Sequence, residues 1–187
     1  MPFDHFDFLA PFYDRVIRFD RLETTLKMAA LPTDGLLLDA GGGTGRVTAS
    51  LRSYAGGIVL ADLSLRMLLQ ARAKGLTSVL TPTEQLPFPD QTFSRILMVD
   101  ALHHVIHQTQ TVHELWRVLA PGGWLVIEEP DVRTTPVKWI ALAEKLALMR
   151  SHFLKPEEIA ATLPTQANVR LETQDYTVWV IAEKPVS

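Results

Sequence analysis

The segment from residue 36 to residue 47, which reads LLLDAGGGTGRV, most constrains the fold of this chain. Apolar residues typical of a buried strand run into Asp39, and Gly41, Gly43 and Gly45 then alternate before a helical pattern begins. Glycine at a strand-to-helix turn adopts positive φ at little cost, and its missing Cβ lets the backbone pass close to a ligand. The segment therefore predicts a strand, a ligand-binding turn and a helix.

The spacing of these glycines separates two kinds of nucleotide site. The nicotinamide dinucleotide fingerprint is G-x-G-x-x-G, and its third glycine falls at the position that Arg46 holds here. The loop in this chain reads D-x-G-x-G-x-G instead. An NAD-dependent oxidoreductase is therefore the less favoured alternative.

Short apolar runs alternate with helical patterns along the rest of the chain. Such runs are typical of parallel strands buried on both faces, and they cover residues 36–40, 57–62, 77–81, 94–102 and 123–129. Ser64 is a suitable N-cap for a helix that ends near Gly75. A later helix has its apolar face at Val112, Leu115, Trp116 and Leu119, and the Pro-Gly-Gly of residues 121–123 is expected to end it. Alternating strands and helices predict a doubly wound α/β sheet, with a ligand crevice beyond the carboxyl ends of its strands.

The tail from residue 169 to residue 184 contains two strand-like stretches about Gln174 and Asp175, which predicts an antiparallel C-terminal hairpin at a sheet edge. With 187 residues, 47% of them hydrophobic and 21% charged, the chain is expected to form one domain. We predict a helical cap over residues 1–30 and a sheet core over residues 31–187.

Charge and composition exclude several classes of protein. The net charge is −3 and no stretch is rich in Lys or Arg, so nucleic acid is not an expected partner. The chain has no cysteine, and no apolar run approaches the length of a membrane span. Acidic residues stand near the N-terminus where a secretory signal would carry Lys or Arg. A cytoplasmic protein without an integral membrane segment is expected.

Further segments, together with the glycine loop, resemble the class I S-adenosylmethionine-dependent methyltransferases. They cover residues 6–17, 81–105 and 113–131, and they are similar to the methyltransferase type 11 group, which includes the ubiquinone and menaquinone C-methyltransferases. The resemblance implies a mostly parallel, seven-stranded, Rossmann-like sheet that binds S-adenosyl-L-methionine and releases S-adenosyl-L-homocysteine. It also implies methyl transfer to a small acceptor, and that the loop wraps the amino-acid end of the cofactor with Asp39 near its ammonium.

Asp62 ends the second predicted strand, where a carboxylate can accept hydrogen bonds from both ribose hydroxyls. Alternatively, Asp62 begins the turn that caps the Ser64 helix. Leu63 and Met67 would then offer apolar surface to adenine, or belong to the ordinary core.

The resemblance is weakest where adenine is recognised. Related proteins often carry an acid or amide two residues before Glu84, and this chain has Pro82, which offers neither an N–H nor a side-chain acceptor. The backbone N–H of Thr83 and the side chain of Glu84 or Gln85 are expected to meet the adenine edge, although Glu84 could simply be solvated. The expected cofactor-binding residues are Asp39, Ala40, Gly41, Gly43, Gly45, Asp62, Leu63, Met67, Thr83, Glu84 and Asp100.

Asp100 is the only acid in its apolar strand, so its burial requires a partner. The cofactor ammonium is one such partner, and Arg95 or a backbone group is the alternative. Methyl transfer needs a base only if the nucleophile must lose a proton, and His103 and His104 are the candidates. One of them could instead pack under the next helix while the other caps a turn. Tyr13 is a further candidate, which would close over the cofactor.

The spacing of His103, His104 and His107 lacks the nearby carboxylates of a metal site, so no metal is expected. Residues 136–163 are expected to cover a sheet face, or to roof an apolar pocket for an aromatic or lipid-like acceptor. Their apolar face is formed by Trp139, Leu142, Ala143, Leu146 and Met149. A catalytically silent module that binds S-adenosylmethionine is the alternative from another class. The sequence leaves the acceptor, the methylated atom and the oligomeric state open.

Overall fold

A computed structural model of the chain describes residues 19–146 and 151–186. The predicted contribution of Tyr13, and most of the predicted N-terminal cap, lie outside these residues. The helices are α1 (Leu22–Met28), α2 (Arg46–Leu51), α3 (Leu65–Ala73), α4 (Gln108–Val118), α5 (Thr135–Leu146) and α6 (Pro156–Ala161). The strands are β1 (Thr33–Ala40), β2 (Ala55–Asp62), β3 (Ser78–Leu80), β4 (Phe93–Val99), β5 (Leu119–Pro130), β6 (Asn168–Gln174) and β7 (Thr177–Glu183).

The seven strands form one sheet in the order β3-β2-β1-β4-β5-β7-β6. Strands β1 to β5 are parallel, whereas β7 is antiparallel to β5 and β6 is antiparallel to β7. The predicted doubly wound sheet and its antiparallel C-terminal hairpin are confirmed. The carboxyl ends of β1 and its neighbours β2 and β4 therefore meet at one edge, where the glycine loop begins.

Two apolar layers cover the two faces of the sheet. Alternate residues of the central strands face opposite sides, so Leu38 and Ile96 belong to one layer and Leu37 and Leu97 to the other. Helix α4 packs on the first layer, whereas α1 and α2 pack on the second. Because helices cover both faces, the central strands are continuous apolar runs.

Two predicted boundaries are wrong by a few residues. Helix α4 ends at Val118, because Leu119 has extended φ and ψ and begins β5, which also includes the Pro-Gly-Gly of residues 121–123. Strand β4 ends at Val99 rather than at residue 102, because Asp100 has a φ of +51° and a short 3₁₀ turn, Leu102–His104, follows.

The prediction that helix α5 covers a sheet face is wrong for the two side chains of that face that the structure describes. Trp139 is 67% exposed and Leu142 is 44% exposed. Val137, which is not part of the predicted apolar face, is buried instead. Among the described residues, no helix has both the length and the apolar character needed to cross a membrane.

Candidate functional site

The glycine loop between β1 and α2 is tied to the end of β2. The N–H of Gly41 donates to the carbonyl of Ala61 at 2.8 Å, and the N–H of Gly45 donates to the carbonyl of Gly42 at 2.9 Å. Gly41, Gly43 and Gly45 have φ values of +71°, +56° and +75°. Side chains are strained in this left-handed region, which explains the alternating glycines.

These three glycines differ in what surrounds them. A Cβ on Gly41 would lie 2.7 Å from the Cβ of Ala101, and a Cβ on Gly45 would overlap Leu76. A Cβ on Gly43 would have the sulfur of Met67, at 4.0 Å, as its nearest neighbour. Packing therefore requires glycine at positions 41 and 45, whereas Gly43 borders open space.

Asp62 fixes the tip of this loop. One carboxylate oxygen accepts the N–H of Gly43 at 2.8 Å, and the other accepts the N–H of Ser64 at 2.8 Å. The hydroxyl of Ser64 accepts the N–H of Met67 at 3.2 Å, so Ser64 is the N-cap of α3, as predicted. Asp62 thus holds the glycine loop and the start of α3 together.

Asp39 lies below the loop with its carboxyl group buried. It accepts a hydrogen bond from the hydroxyl of Thr48 on α2. Burial raises the pKa of Asp39 to about 6, although the Thr48 bond and the nearby Arg46 guanidinium act in the opposite direction. Asp39 therefore anchors α2 to the end of β1.

Asp100 is partnered by arginines other than the one predicted. The guanidinium of Arg46 lies 3.1 Å from its carboxylate and that of Arg21 lies 3.9 Å away. Arg95 instead donates to the carbonyls of Ala30 and Ser94. The sequence could not reveal this pairing, because it joins the starts of two helices to the end of β4.

Asp100, Arg46 and Arg21 form a charged group, and Glu128 is its second acid. Glu128 is buried near the carboxyl end of β5. It lies 2.5 Å from Arg21 and accepts the indole N–H of Trp179 at 2.9 Å. Burial raises the pKa of Glu128, while the charge of Arg21 opposes this shift. Arg21 therefore joins the carboxylates at the ends of β4 and β5.

His103 is buried and paired with a carboxylate. Its Nδ1 lies 2.5 Å from Glu129, and its ring stacks on Phe153 with centroids 4.3 Å apart. The other oxygen of Glu129 accepts the N–H groups of Ala101 and Leu102 at 3.1 and 2.8 Å. One carboxylate therefore holds both the loop after β4 and the imidazole.

His104 has a different environment. Burial, with a further contribution from the neighbouring charge of His103, lowers the pKa of His104 to about 3. Its Nδ1 lies 3.2 Å from the hydroxyl of Ser151. His104 is therefore neutral at physiological pH.

Residues 19–146 and 151–186 contain no group of three His, Asp or Glu side chains suited to a metal ion.

The remaining predicted cofactor residues lie around the same crevice edge. Leu63 is 69% exposed, whereas Ala40 and Met67 are buried. The hydroxyl of Thr83 is buried 3.1 Å from that of Thr111, and the carbonyl of Glu84 accepts the side-chain amide of Gln110 at 3.2 Å. The Thr83 hydroxyl therefore packs against α4, whereas the side chain of Gln85 is exposed.

A cavity of about 520 Å³ opens beside this charged group, between the start of α1 and the turn joining β6 to β7. Its lining includes Arg21, Asp175, Tyr176 and Thr177. The Arg21 guanidinium also donates to the hydroxyl of Thr177 at 2.7 Å, so the cavity adjoins Asp100 and Glu128 through one side chain.

Sequence reasoning missed Arg21, Thr48, Glu128 and Glu129 as parts of the site. Two consecutive acids at the end of an otherwise apolar strand were the available signal for Glu128 and Glu129. The argument that singled out Asp100, that a buried acid needs a partner, applies equally to them.

Comparison with known proteins shows a similarity to methyltransferases. Residues 38–127 match the family model described as a methyltransferase domain. This match covers the glycine loop, Asp62, Asp100, His103 and His104.

Curated relatives agree with this match. The ubiquinone/menaquinone biosynthesis C-methyltransferase UbiE of Pseudomonas paraeruginosa is 32% identical over 116 residues, which are 56% of this chain and 45% of that protein. The same enzyme of Pseudomonas putida strain GB-1 is 33% identical over the same shares. The chain thus spans about half the length of the curated relatives that it matches.

Solved structures show the same fold. A SAM-dependent methyltransferase from Thermotoga maritima superposes with a TM-score of 0.79 at 20% identity, over 96% of this chain and 98% of that chain. One from Aquifex aeolicus gives 0.72 at 22% identity, over 97% and 98%. The fold and the domain match make this chain similar to the class I S-adenosylmethionine-dependent methyltransferases. Their type 11 group contains the matched domain, and S-adenosylmethionine is their cofactor.

Proposed function

We propose that this chain transfers a methyl group from S-adenosylmethionine to a small acceptor by in-line displacement at the carboxyl edge of β1, β2 and β4. The observation that carries the proposal is Gly43. Its backbone is held by Asp62 while the space beyond its Cα is open. A ligand that approaches the backbone closely would fit there.

The nucleoside end of the cofactor is assigned to Asp62 and its neighbours. A carboxylate offers about four acceptor positions, and the N–H groups of Gly43 and Ser64 use two of them at Asp62. We assign the ribose hydroxyls to Asp62 and the apolar surface for adenine to the exposed Leu63 and to Met67, whose sulfur lies nearest the open side of Gly43. The adenine edge is assigned to Thr83 N–H and Glu84.

The amino-acid end is assigned to residues 40–45 and Asp100. Asp100 would receive the ammonium group of the cofactor. Arg46, whose guanidinium lies 3.1 Å from Asp100, would neutralise the carboxylate of the cofactor. This pair matches the opposite charges of an amino acid. Asp39 is buried on Thr48, so we propose that it acts by holding the loop.

When bound, the cofactor supplies an electrophilic methyl group. The protein then has to hold the acceptor in line and exclude water, and positioning of this kind can contribute about 7–11 kcal/mol. If the acceptor must lose a proton, we assign the base to His103 or His104. A pKa of about 3 makes His104 a weak base at neutral pH, which favours His103 with its partner Glu129.

We propose that the acceptor is apolar or aromatic and enters by the cavity beside Arg21. This cavity adjoins Asp100, and it lies at the edge of the sheet where ligands of doubly wound folds bind. The curated relatives are named as C-methyltransferases of quinone biosynthesis, so a ring carbon is one candidate nucleophile. Tyr13 is proposed to close over the cofactor.

The cofactor assignment is tested by titration calorimetry with S-adenosylhomocysteine. Asp62→Ala is expected to weaken binding about 30- to 1,000-fold, because charge-assisted hydrogen bonds are lost. The affinity of Asp62→Asn for S-adenosylhomocysteine should fall between those of the wild type and of Asp62→Ala. Ser64→Ala is the matched control, since it removes the helix cap and about 1 kcal/mol of stability while keeping the carboxylate. Unchanged affinity in a folded Asp62→Ala protein would refute the assignment.

Catalysis is tested separately with methyl-labelled S-adenosylmethionine and a panel of quinol, phenol and amine acceptors. Label transfer to any acceptor supports the enzyme. Tight binding without transfer to the panel would favour the silent binding module instead.

A further inference from the structure

The sheet ends at β6, whose outer edge has no strand beside it in the described part of the chain. Six of the seven residues in β6 are exposed, and Val169 is half-buried. A long exposed edge strand is a ready template for pairing, and proteins commonly protect such edges with Pro, charged side chains, especially Lys, or a bulge. Strand β6, with the sequence NVRLETQ, has no Pro and no Lys, its two charged residues are of opposite sign, and it pairs regularly with β7.

The register of the hairpin shows which backbone groups face outward. Gln174 pairs with Thr177 across a two-residue turn, so these two residues exchange hydrogen bonds. Every second residue back along β6 therefore bonds to β7. The intervening residues, Val169, Leu171 and Thr173, direct their N–H and C=O groups to the open edge.

We propose that β6 pairs with β6 of a second copy of this chain, antiparallel and about a two-fold axis at Leu171. This register places Leu171 opposite Leu171 and Val169 opposite Thr173, so the outward backbone groups meet in hydrogen-bonded pairs. The contact is isologous and closes as a dimer. It joins the seven strands of each copy into one continuous sheet.

The charges of β6 select this register. With the axis at Leu171, Arg170 of each copy lies opposite Glu172 of the other, on the same face of the sheet. Moving the axis to Arg170 would oppose two arginines, and moving it to Glu172 would oppose two glutamates. Opposite charges directly across a strand pair stabilise it, whereas like charges destabilise it.

Leu171 adds an apolar contact at the axis, since it is 40% exposed in the single chain. The guanidinium of Arg170 lies over the Trp124 ring, 5.2 Å from its centroid, so it must change rotamer to reach the second copy. One strand pair buries less area than a standard stable interface. The dimer should therefore form in a concentration-dependent manner.

The test is sedimentation velocity of the whole chain over a series of concentrations. The wild type should shift from 20.9 kDa toward twice that mass as the concentration rises. Arg170→Glu or Glu172→Arg alone should weaken the dimer about tenfold, because each creates two like-charge pairs. The double exchange R170E/E172R should restore it. Lys138→Glu, the same charge change on the exposed face of α5, is the matched control and should have no effect.

Leu171→Pro is the second probe. Its missing N–H faces the open edge, so the hairpin should persist, as a thermal melt can check, while the dimer is lost. A chain that stays monomeric at every concentration would overturn the proposal. This holds even if a different protein pairs with the β6 edge. So would a dimer that survives Leu171→Pro, or one that the double exchange fails to restore.

Discussion

At the scale of single residues, glycine serves two purposes within one loop. Gly45 leaves room for Leu76, which packs inside the protein. Gly43 leaves room on the open side, where the nearest atom belongs to Met67. Both have positive φ, so backbone conformation alone does not distinguish them.

Substitution should separate these two purposes. Gly43→Val should abolish S-adenosylhomocysteine binding in a folded protein, at a stability cost of about 1–2 kcal/mol from its positive φ. Gly45→Ala should carry the same strain plus roughly 1–3 kcal/mol of overpacking against Leu76. Calorimetry and urea unfolding measure the two effects. Unchanged affinity of Gly43→Val for S-adenosylhomocysteine would contradict a ligand site at this loop.

Asp39 illustrates a residue whose charge opposes folding. Burial raises its pKa from 3.8 to about 6, so the folded state binds a proton more tightly than the unfolded state does. The charge therefore costs no stability below about pH 3.8, and the cost grows to its full value above about pH 6. The shift corresponds to about 3 kcal/mol as an upper bound.

Asp39→Asn should remove this dependence, because the amide oxygen still accepts the Thr48 hydroxyl. Urea unfolding should show similar stabilities for wild type and variant near pH 4 and a more stable variant at pH 7.5. Thr48→Val is a useful comparison, since it should destabilise the protein at both pH values. Equal stability of wild type and Asp39→Asn across the range would contradict the raised pKa.

At the scale of elements, the loop after β4 is held by β5. Glu129 near the end of β5 accepts the N–H groups of Ala101 and Leu102 and pairs with His103. Ala101 also packs against Gly41. The histidine turn and the glycine loop are therefore positioned by the same contact between neighbouring strands.

The two histidines of this turn should behave differently. If His103 is the base, His103→Ala should lower turnover by about 10²–10⁴-fold with little change in cofactor affinity, and it should remove the acidic limb of the pH profile. His104→Ala should have a much smaller effect, because a pKa of about 3 makes His104 a weak base. Steady-state rates against pH would decide this. Full activity in both variants would leave positioning as the main catalytic device.

The lowered pKa of His104 also affects stability. His104 gains a proton near pH 6.5 in the unfolded state but only near pH 3 in the folded state. Protonation of His104 therefore costs no stability above about pH 6.5, and its cost to the free energy of unfolding grows as the pH drops toward 3. His104→Gln should therefore reduce acid sensitivity between pH 6 and pH 4, as urea unfolding would show. An unchanged slope would contradict the buried, neutral state of His104.

At the scale of the whole molecule, the carboxyl edge of the sheet collects the charged groups. Asp62, Asp100, Glu128 and Arg46 lie at the ends of four different elements, and Arg21 joins two of the carboxylates. A ligand bound there would contact several elements at once and stabilise the entire fold. Its effect should appear in global unfolding.

S-adenosylhomocysteine at about 100 times its dissociation constant should add about 2.7 kcal/mol of stability. For a chain of this size, this corresponds to a rise in Tm of roughly 5–11 °C. A thermal melt measures it, and NAD at the same concentration serves as the control. A larger shift with NAD would favour the oxidoreductase alternative.

The sequence by itself determined the fold class, the glycine loop and the C-terminal hairpin. Each depends on residues close together in the chain: apolar runs of strand length, three alternating glycines at positive φ, and the Ser64 cap. Such local patterns retain their meaning wherever the elements later pack. The lack of an acid or amide at position 82 was visible for the same reason.

Only the tertiary structure decided the partners of the charged residues. Arg46 reaches Asp100 across 54 positions and Glu129 reaches His103 across 26, because β1, β4 and β5 are neighbours in the sheet. It also showed that Asp39 faces Thr48, and that Trp139 is exposed rather than packed on the sheet. Periodicity identifies an apolar or charged side chain, but its partner depends on which strands lie side by side.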